Sequence, residues 1–236
     1  MNRPNDKKWA RRFWRLFVLL QFELFRKRRL NRIVLETIAG RPILVLPRVF
    51  NPKIFFTGEF LADHLDRVPI PAGASVLDMG TGTGAASMVA ALHCDRIVAV
   101  DLNPAAVRCA RINALLNRVE DRVEVREGNL FGPVGEEKFD VVLFNPPYLA
   151  GCPSDALDQA LRSDDIGSRF ASQLEHHLET DGHALVVLSS VGERASFLSE
   201  FRSHNLAAKV VAERDLGSEV LELYRVSPET VLPPAI

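Results

Sequence analysis

The chain is expected to fold as one α/β domain on a mostly parallel sheet, and three observations carry that expectation. From about Phe60, apolar runs of strand length alternate with helical segments, the pattern of parallel strands joined by crossover helices. The run VLDMGTGTG, residues 76–84, ends an apolar strand in glycines where a helix begins. The last two strands are separated only by DLGSE, residues 215–219, too few for a crossover helix, so they must form an antiparallel hairpin.

The elements follow in order. Strands are expected at residues 75–79, 96–102, 123–127, 139–145, 183–189, 209–214 and 220–226. Helices fall between them, as over 85–92 and over 104–116, where Asn103 suits an N-cap and Pro104 a first helical turn. Seven strands with the last one reversed is a Rossmann-like arrangement, and it resembles that of class I methyltransferases. Upstream, RPILVLPRVFNPKIFFTGEF (41–60) mixes β-branched and aromatic residues with Pro and Gly, which predicts an extended hairpin or lid. The division expected is therefore a basic helix with a lid over 1–57 and the main domain over 58–236.

Composition supports one large core with an appendage: 236 residues, 47% hydrophobic and 25% charged. Cys94, Cys109 and Cys152 show no CxxC spacing and leave an odd count, so neither a disulfide framework nor a zinc site is indicated, and a reducing, cytoplasmic setting fits. The net charge of -1 conceals a strong asymmetry. Residues 1–32 hold eleven Lys or Arg against Asp6 and Glu23, while the rest of the chain is acidic. The apolar stretch Phe13 to Phe25 within this arm is short for a bilayer span and carries Arg15, Gln21 and Glu23. RKRR at 26–29 stands where a signal peptide would need small residues, so the arm reads as an amphipathic basic helix. Such a helix could dock on RNA, on the ribosome or on an anionic membrane surface.

The chemistry-bearing residues fall in two groups. Gly80, Gly82 and Gly84, with Thr81 and Thr83 between them, form a strand-to-helix turn whose small residues let backbone N–H groups approach a ligand. Asp101 ends the next strand, where a carboxylate can accept from two ribose hydroxyls, with Leu102 beside it. The turn by itself is compatible with NAD, FAD or S-adenosyl-L-methionine. The second group is FNPPY, residues 144–148, at the end of an apolar strand. Asn145 Oδ1 and the Pro146 carbonyl are two acceptors for the hydrogens of a planar NH2 group, and Tyr148 is a ring to stack on it. Pro147 fixes φ and Pro146 drives Asn145 toward extended geometry, so the set is preorganised.

From about Ala39 to Val226 the chain resembles the HemK/PrmC-like protein-glutamine N5-methyltransferases and their adenine-N6 relatives, on VLDMGTGTG, AVDLNPAAVRCARINA (99–114), REGNLFGP (126–133) and VVLFNPPYLAG (141–151). The resemblance implies S-adenosyl-L-methionine as cofactor, no metal, and a peptide-chain release factor as partner. It implies that Asp78 helps hold the ammonium end of that cofactor, that Gly80 to Gly84, Asp101 and Leu130 contact it, and that Asn129 and Leu130 flank its adenine. It further implies that Asn145, Pro146, Pro147 and Tyr148 hold the substrate amide. Two departures stand out. Asn129 occupies a position where the family commonly has Asp, and FFTGEF replaces a Pro-Arg-Pro-Glu-Thr-Glu signature, keeping only Glu59 in a comparable place for the substrate.

Four functions remain open on the sequence: methylation of a protein glutamine, methylation of adenine N6 in RNA or DNA, methylation of a small-molecule amine, and a noncatalytic docking protein that retains the fold. The adjacent His176 and His177 point to different faces of a helix and make a poor metal pair, and Asp164 with Asp165 reads as a helix start.

Overall fold

The structure is a computed structural model and describes residues 32–65, 68, 70–71, 73–147 and 165–229. The expectations for the basic arm over 1–31 and for Tyr148, Cys152 and Asp164 fall outside those residues.

The chain begins with a two-stranded antiparallel hairpin, β1 (Val34–Ile38) and β2 (Arg41–Val45). Ala39 and Gly40 both take positive φ, 44° and 74°, the backbone of a tight hairpin turn. Two short helices follow, α1 (Pro52–Phe55) and α2 (Thr57–Leu65), and then the main α/β succession. That succession runs β3 (Ser75–Met79), α3 (Ala85–Ala90), β4 (Arg96–Asp101), α4 (Pro104–Asn117), β5 (Val123–Glu127), β6 (Phe139–Phe144), α5 (Ile166–Leu174), β7 (Leu178–Ser189), α6 (Arg194–Ser203), β8 (Leu206–Asp215) and β9 (Val220–Pro228).

Seven strands form one sheet in the order β5-β4-β3-β6-β7-β9-β8. Pairing is parallel from β5 through to β7, and β9 runs antiparallel to both β7 and β8, so the reversed last strand is inserted beside the edge. All seven strands and the final hairpin are where the sequence pattern predicts them. β7 starts earlier than expected, because Leu178 pairs with Phe139 before an irregularity that ends at the His183–Val141 pair.

Side chains of alternate strand residues fill two apolar layers. Val76, Ile97, Val141, Leu143 and Leu185 face α2, α3 and α4. Leu77, Val98, Val142, Phe144 and Val186 face α5 and α6 on the other side. Strands covered on both faces explain why these runs are almost wholly apolar rather than alternating. The hairpin is tied to α4 by buried Asn113, which accepts from Leu44 N at 2.8 Å and donates to Leu44 O at 2.7 Å and to Thr83 O at 2.8 Å. One amide thereby joins β2, α4 and the glycine turn.

One expectation is corrected. The segment 41–60 is not extended throughout: β2 pairs with the upstream strand β1, and residues 52–55 and 57–65 are helical. The physical reason is a cap. Asn51 Oδ1 accepts from Lys53 N at 2.9 Å and Pro52 occupies the first turn, which outweighs the strand preference of Ile54, Phe55 and Phe56. Among the described residues no helix is long and apolar enough to cross a membrane.

Candidate active site

The sheet order reverses direction between β3 and β6, so their carboxyl ends flank the crevice where α/β sheets bind ligands. Register places Met79 of β3 opposite Phe144 of β6. The glycine turn that follows Met79 and Asn145, which follows Phe144, are therefore neighbours in space. An open cleft at this point is lined by Asp78, Gly80 to Thr83, Asp101, Leu102, Asn129, Leu130, Asn145, Pro146 and Pro147, together with Phe50, Pro52, Gly58 and Ile166.

The turn is held from beneath. Asp78 is buried, and its Oδ2 accepts from Thr81 Oγ1 at 2.7 Å, from Ser87 Oγ at 2.5 Å and from Ser87 N at 3.2 Å. Burial pushes its carboxyl above the ordinary range, while these hydrogen bonds act in the opposite direction. Thr81 and Thr83 are buried too, and Thr81 N donates to Val100 O at 2.9 Å. The Thr81 side chain thus braces the turn from beneath through Asp78. Gly84 has φ 79°, and a Cβ there would sit 3.2 Å from Ala110 Cβ, so glycine is required by both conformation and packing against α4.

Asp101 closes one side of the cleft. Its Oδ2 accepts from Gly82 N at 2.8 Å and its Oδ1 from Asn103 N at 2.8 Å. Burial lifts its pKa to about 6 against those bonds. Leu102 next to it is 47% exposed, an apolar surface available to a flat ring. Across from it Gly128 N donates to Asp101 O at 2.9 Å, Asn129 is exposed, and Leu130 is buried with φ 47°. A carboxylate, bare turn backbone and an exposed leucine together form a donor and contact set that fits a nucleoside with a diol and a charged tail.

Asn145 ends β6 on the other side. Its Nδ2 donates to Thr57 Oγ1 at 3.2 Å, whereas its buried Oδ1 has no hydrogen-bond partner among the described residues. A buried acceptor left open costs free energy unless a ligand satisfies it. Pro146 is buried and Pro147 half-buried behind it. Tyr148, expected to stack on the substrate, lies outside the described residues. Glu59 is not among the cleft-lining residues: its carboxylate is ion-paired with Lys53.

Away from the cleft, His176 Nε2 lies 2.6 Å from Glu136 Oε2, while His177 bonds to Glu137 O and stacks on Phe131 with centroids 4.4 Å apart. The adjacent histidines therefore serve different neighbours. Ser87, Thr57 and Gly58 carry no motif in the sequence. The Asn-Pro pair at 51–52 was the available signal for a helix start that would bring the last two near the cleft.

Residues 42–213 match the family described as methyltransferase small domain. A putative protein N5-glutamine methyltransferase of Methanocaldococcus jannaschii is 38% identical over 180 residues, 72% of this chain and 90% of that protein. A release factor glutamine methyltransferase of Koribacter versatilis is 31% identical over 163 residues, 62% of this chain, and the chain spans only 57% of that relative's length. Among solved structures, the E. cuniculi Mtq2–Trm112 complex responsible for the methylation of the eRF1 translation termination factor shares the fold, with a TM-score of 0.58, 19% identity, and coverage of 77% of this chain and 99% of that one.

Proposed function

We propose, from the premise that the chain belongs to the methyltransferase small domain family, that it transfers a methyl group to the side-chain amide nitrogen of a protein glutamine, with a peptide-chain release factor as the acceptor protein. The enzyme is a methyltransferase of the HemK/PrmC-like class, and the cofactor proposed is S-adenosyl-L-methionine. The observation that carries the reading is the Asn145 amide, with its donor end held by Thr57 and its acceptor end open.

An amide nitrogen is a weak nucleophile because its lone pair is delocalised into the carbonyl. Asn145 Oδ1 and the Pro146 carbonyl would each take one N–H of the acceptor and favour a nitrogen whose lone pair projects from the plane. When bound against the glycine turn and Asp101, S-adenosyl-L-methionine would supply an electrophilic methyl group on a sulfonium leaving group. No strong base is needed at the site, since the methylated nitrogen, once cationic, loses its proton to water. Holding the acceptor in line supplies much of the rate. Asp101 would accept from the ribose hydroxyls, Leu102 and Asn129 would border the adenine, and Asp78 would face the ammonium end while bracing the turn. Asn129 serves there as an uncharged acceptor. Residues 58–236 would form the catalytic unit and 1–57 the acceptor-facing one, with the basic arm docking on RNA or the ribosome in a cytoplasmic setting.

The test is transfer of labelled methyl from S-adenosyl-L-methionine to purified release factor, to a release factor whose candidate glutamine is replaced, and to RNA. Label on the first alone, with mass spectrometry placing it on a glutamine amide, supports the reading. Label on RNA, placed on adenine N6, replaces it with the nucleic-acid reading. A protein that binds the cofactor in calorimetry and labels none of them would act as a docking protein.

A further inference from the structure

We propose that Thr57 is a positioning residue that sets which end of the Asn145 amide faces the acceptor, an inference that rests on the methyl-transfer reading of this cleft. The two ends of a carboxamide are almost the same size, so packing alone does not choose between them. Chemistry does. With Oδ1 toward the acceptor, an incoming N–H meets an oxygen; with the amide turned over, it meets another N–H and the site repels it.

Three features of the chain fix the choice. Thr57 is 3% exposed and opens α2, and its Oγ1 receives Nδ2 of Asn145 at 3.2 Å across a sequence separation of 88 residues. Gly58 has no side chain to hold the helix start away: a Cβ there would lie 2.7 Å from Pro52 Cβ and 3.9 Å from Asn145 Nδ2. Phe56 takes φ 59°, the left-handed turn that ends α1 and redirects the chain into α2. With the donor end of the amide engaged and Oδ1 open, an acceptor N–H completes both ends at once. In the turned-over state Nδ2 would lose Thr57 and confront a donor, so the bound acceptor and Thr57 favour the same orientation.

The role separates from simple support of the fold in the full chain. Thr57→Val keeps the shape and removes the oxygen, Thr57→Ser restores the oxygen, and Thr57→Ala guards against a clash specific to valine. Steady-state kinetics, cofactor calorimetry and the side-chain NH2 resonances of Asn145 in 15N–1H spectra are measured on each. Thr57→Val and Thr57→Ala should lower kcat by about 100-fold, the scale of a misplaced reacting group. They should leave cofactor affinity unchanged and shift the Asn145 NH2 resonances, while Thr57→Ser should return both to near the parent values. A parent-like kcat in Thr57→Val and Thr57→Ala overturns the proposal. So does a loss of kcat with unshifted Asn145 resonances, or a loss that Thr57→Ser fails to recover. If the parent protein labels no acceptor, the methyl-transfer reading falls, and the resonances alone decide whether Thr57 holds the amide.

Discussion

At the scale of single residues, the cleft joins two kinds of acceptor whose demands differ. Asn145 Oδ1 is neutral and without a hydrogen-bond partner among the described residues, so on the proposed reading its work is confined to the acceptor NH2 group. Asn145→Ala should leave cofactor binding intact in calorimetry and reduce methyl transfer by roughly 100- to 1000-fold, the scale seen when one preorganised polar contact is removed. Asp101 is ionisable, with a pKa lifted to about 6 by burial. If, as proposed, a cofactor diol donates to this carboxylate, cofactor affinity should fall by about tenfold per unit as pH drops below 6, and Asp101→Asn should remove that dependence. The stability of the ligand-free protein should move the opposite way. Since the folded-state pKa lies above the ordinary carboxylate value, protonation favours the fold, and thermal melts should show stability gained as pH falls from about 6 toward that value. Asp101, the glycines and Asn145 were all legible as single letters because each sits next to the end of an apolar strand.

At the scale of elements, the same Asn-Pro signal opens two helices of very different length. Asn103-Pro104 opens a fourteen-residue helix, and the sequence showed it because helix-forming residues continue for several turns. Asn51-Pro52 opens a helix of only four residues, in which Ile54 and Phe55 have strand preference, so no helical period could accumulate. The consequence is functional, since α1 and the left-handed Phe56 deliver α2 to Asn145. Gly58→Ala should push the start of α2 off Pro52 or away from Asn145. The expected result is a kcat lowered by about 10- to 100-fold with unchanged cofactor affinity, measured by the same kinetics and calorimetry. Gly84→Ala acts on the other wall. Its left-handed φ and its contact with Ala110 predict a loss of more than about 1 kcal/mol in denaturant unfolding, with weakened cofactor binding.

At the scale of the whole molecule, topology makes one site from distant segments. The reversal of strand order between β3 and β6 sets the glycine turn beside Asn145, while α2, from outside the seven-stranded sheet, borders the same cleft through Gly58 and meets Asn145 through Thr57. The charge asymmetry belongs to this scale too. Removing residues 1–32 should leave cofactor affinity unchanged within about twofold, raise the acceptor KM, and flatten its dependence on salt, because about nine net positive charges leave with the arm. An acceptor KM whose salt dependence survives the truncation would show that the arm does not dock. Fold class, strand order of the final hairpin, the glycine turn and Asp101 followed from local pattern alone, because burial period, turn residues and strand ends are written in neighbouring positions. Two features did not. Glu59, retained in a family-like place, is engaged by Lys53 rather than lining the cleft, and Thr57, two residues before it, meets Asn145. Only the tertiary structure decides such matters, since a hydrogen bond across 88 residues depends on how crossovers bring two elements together and on a helix direction set by one left-handed residue.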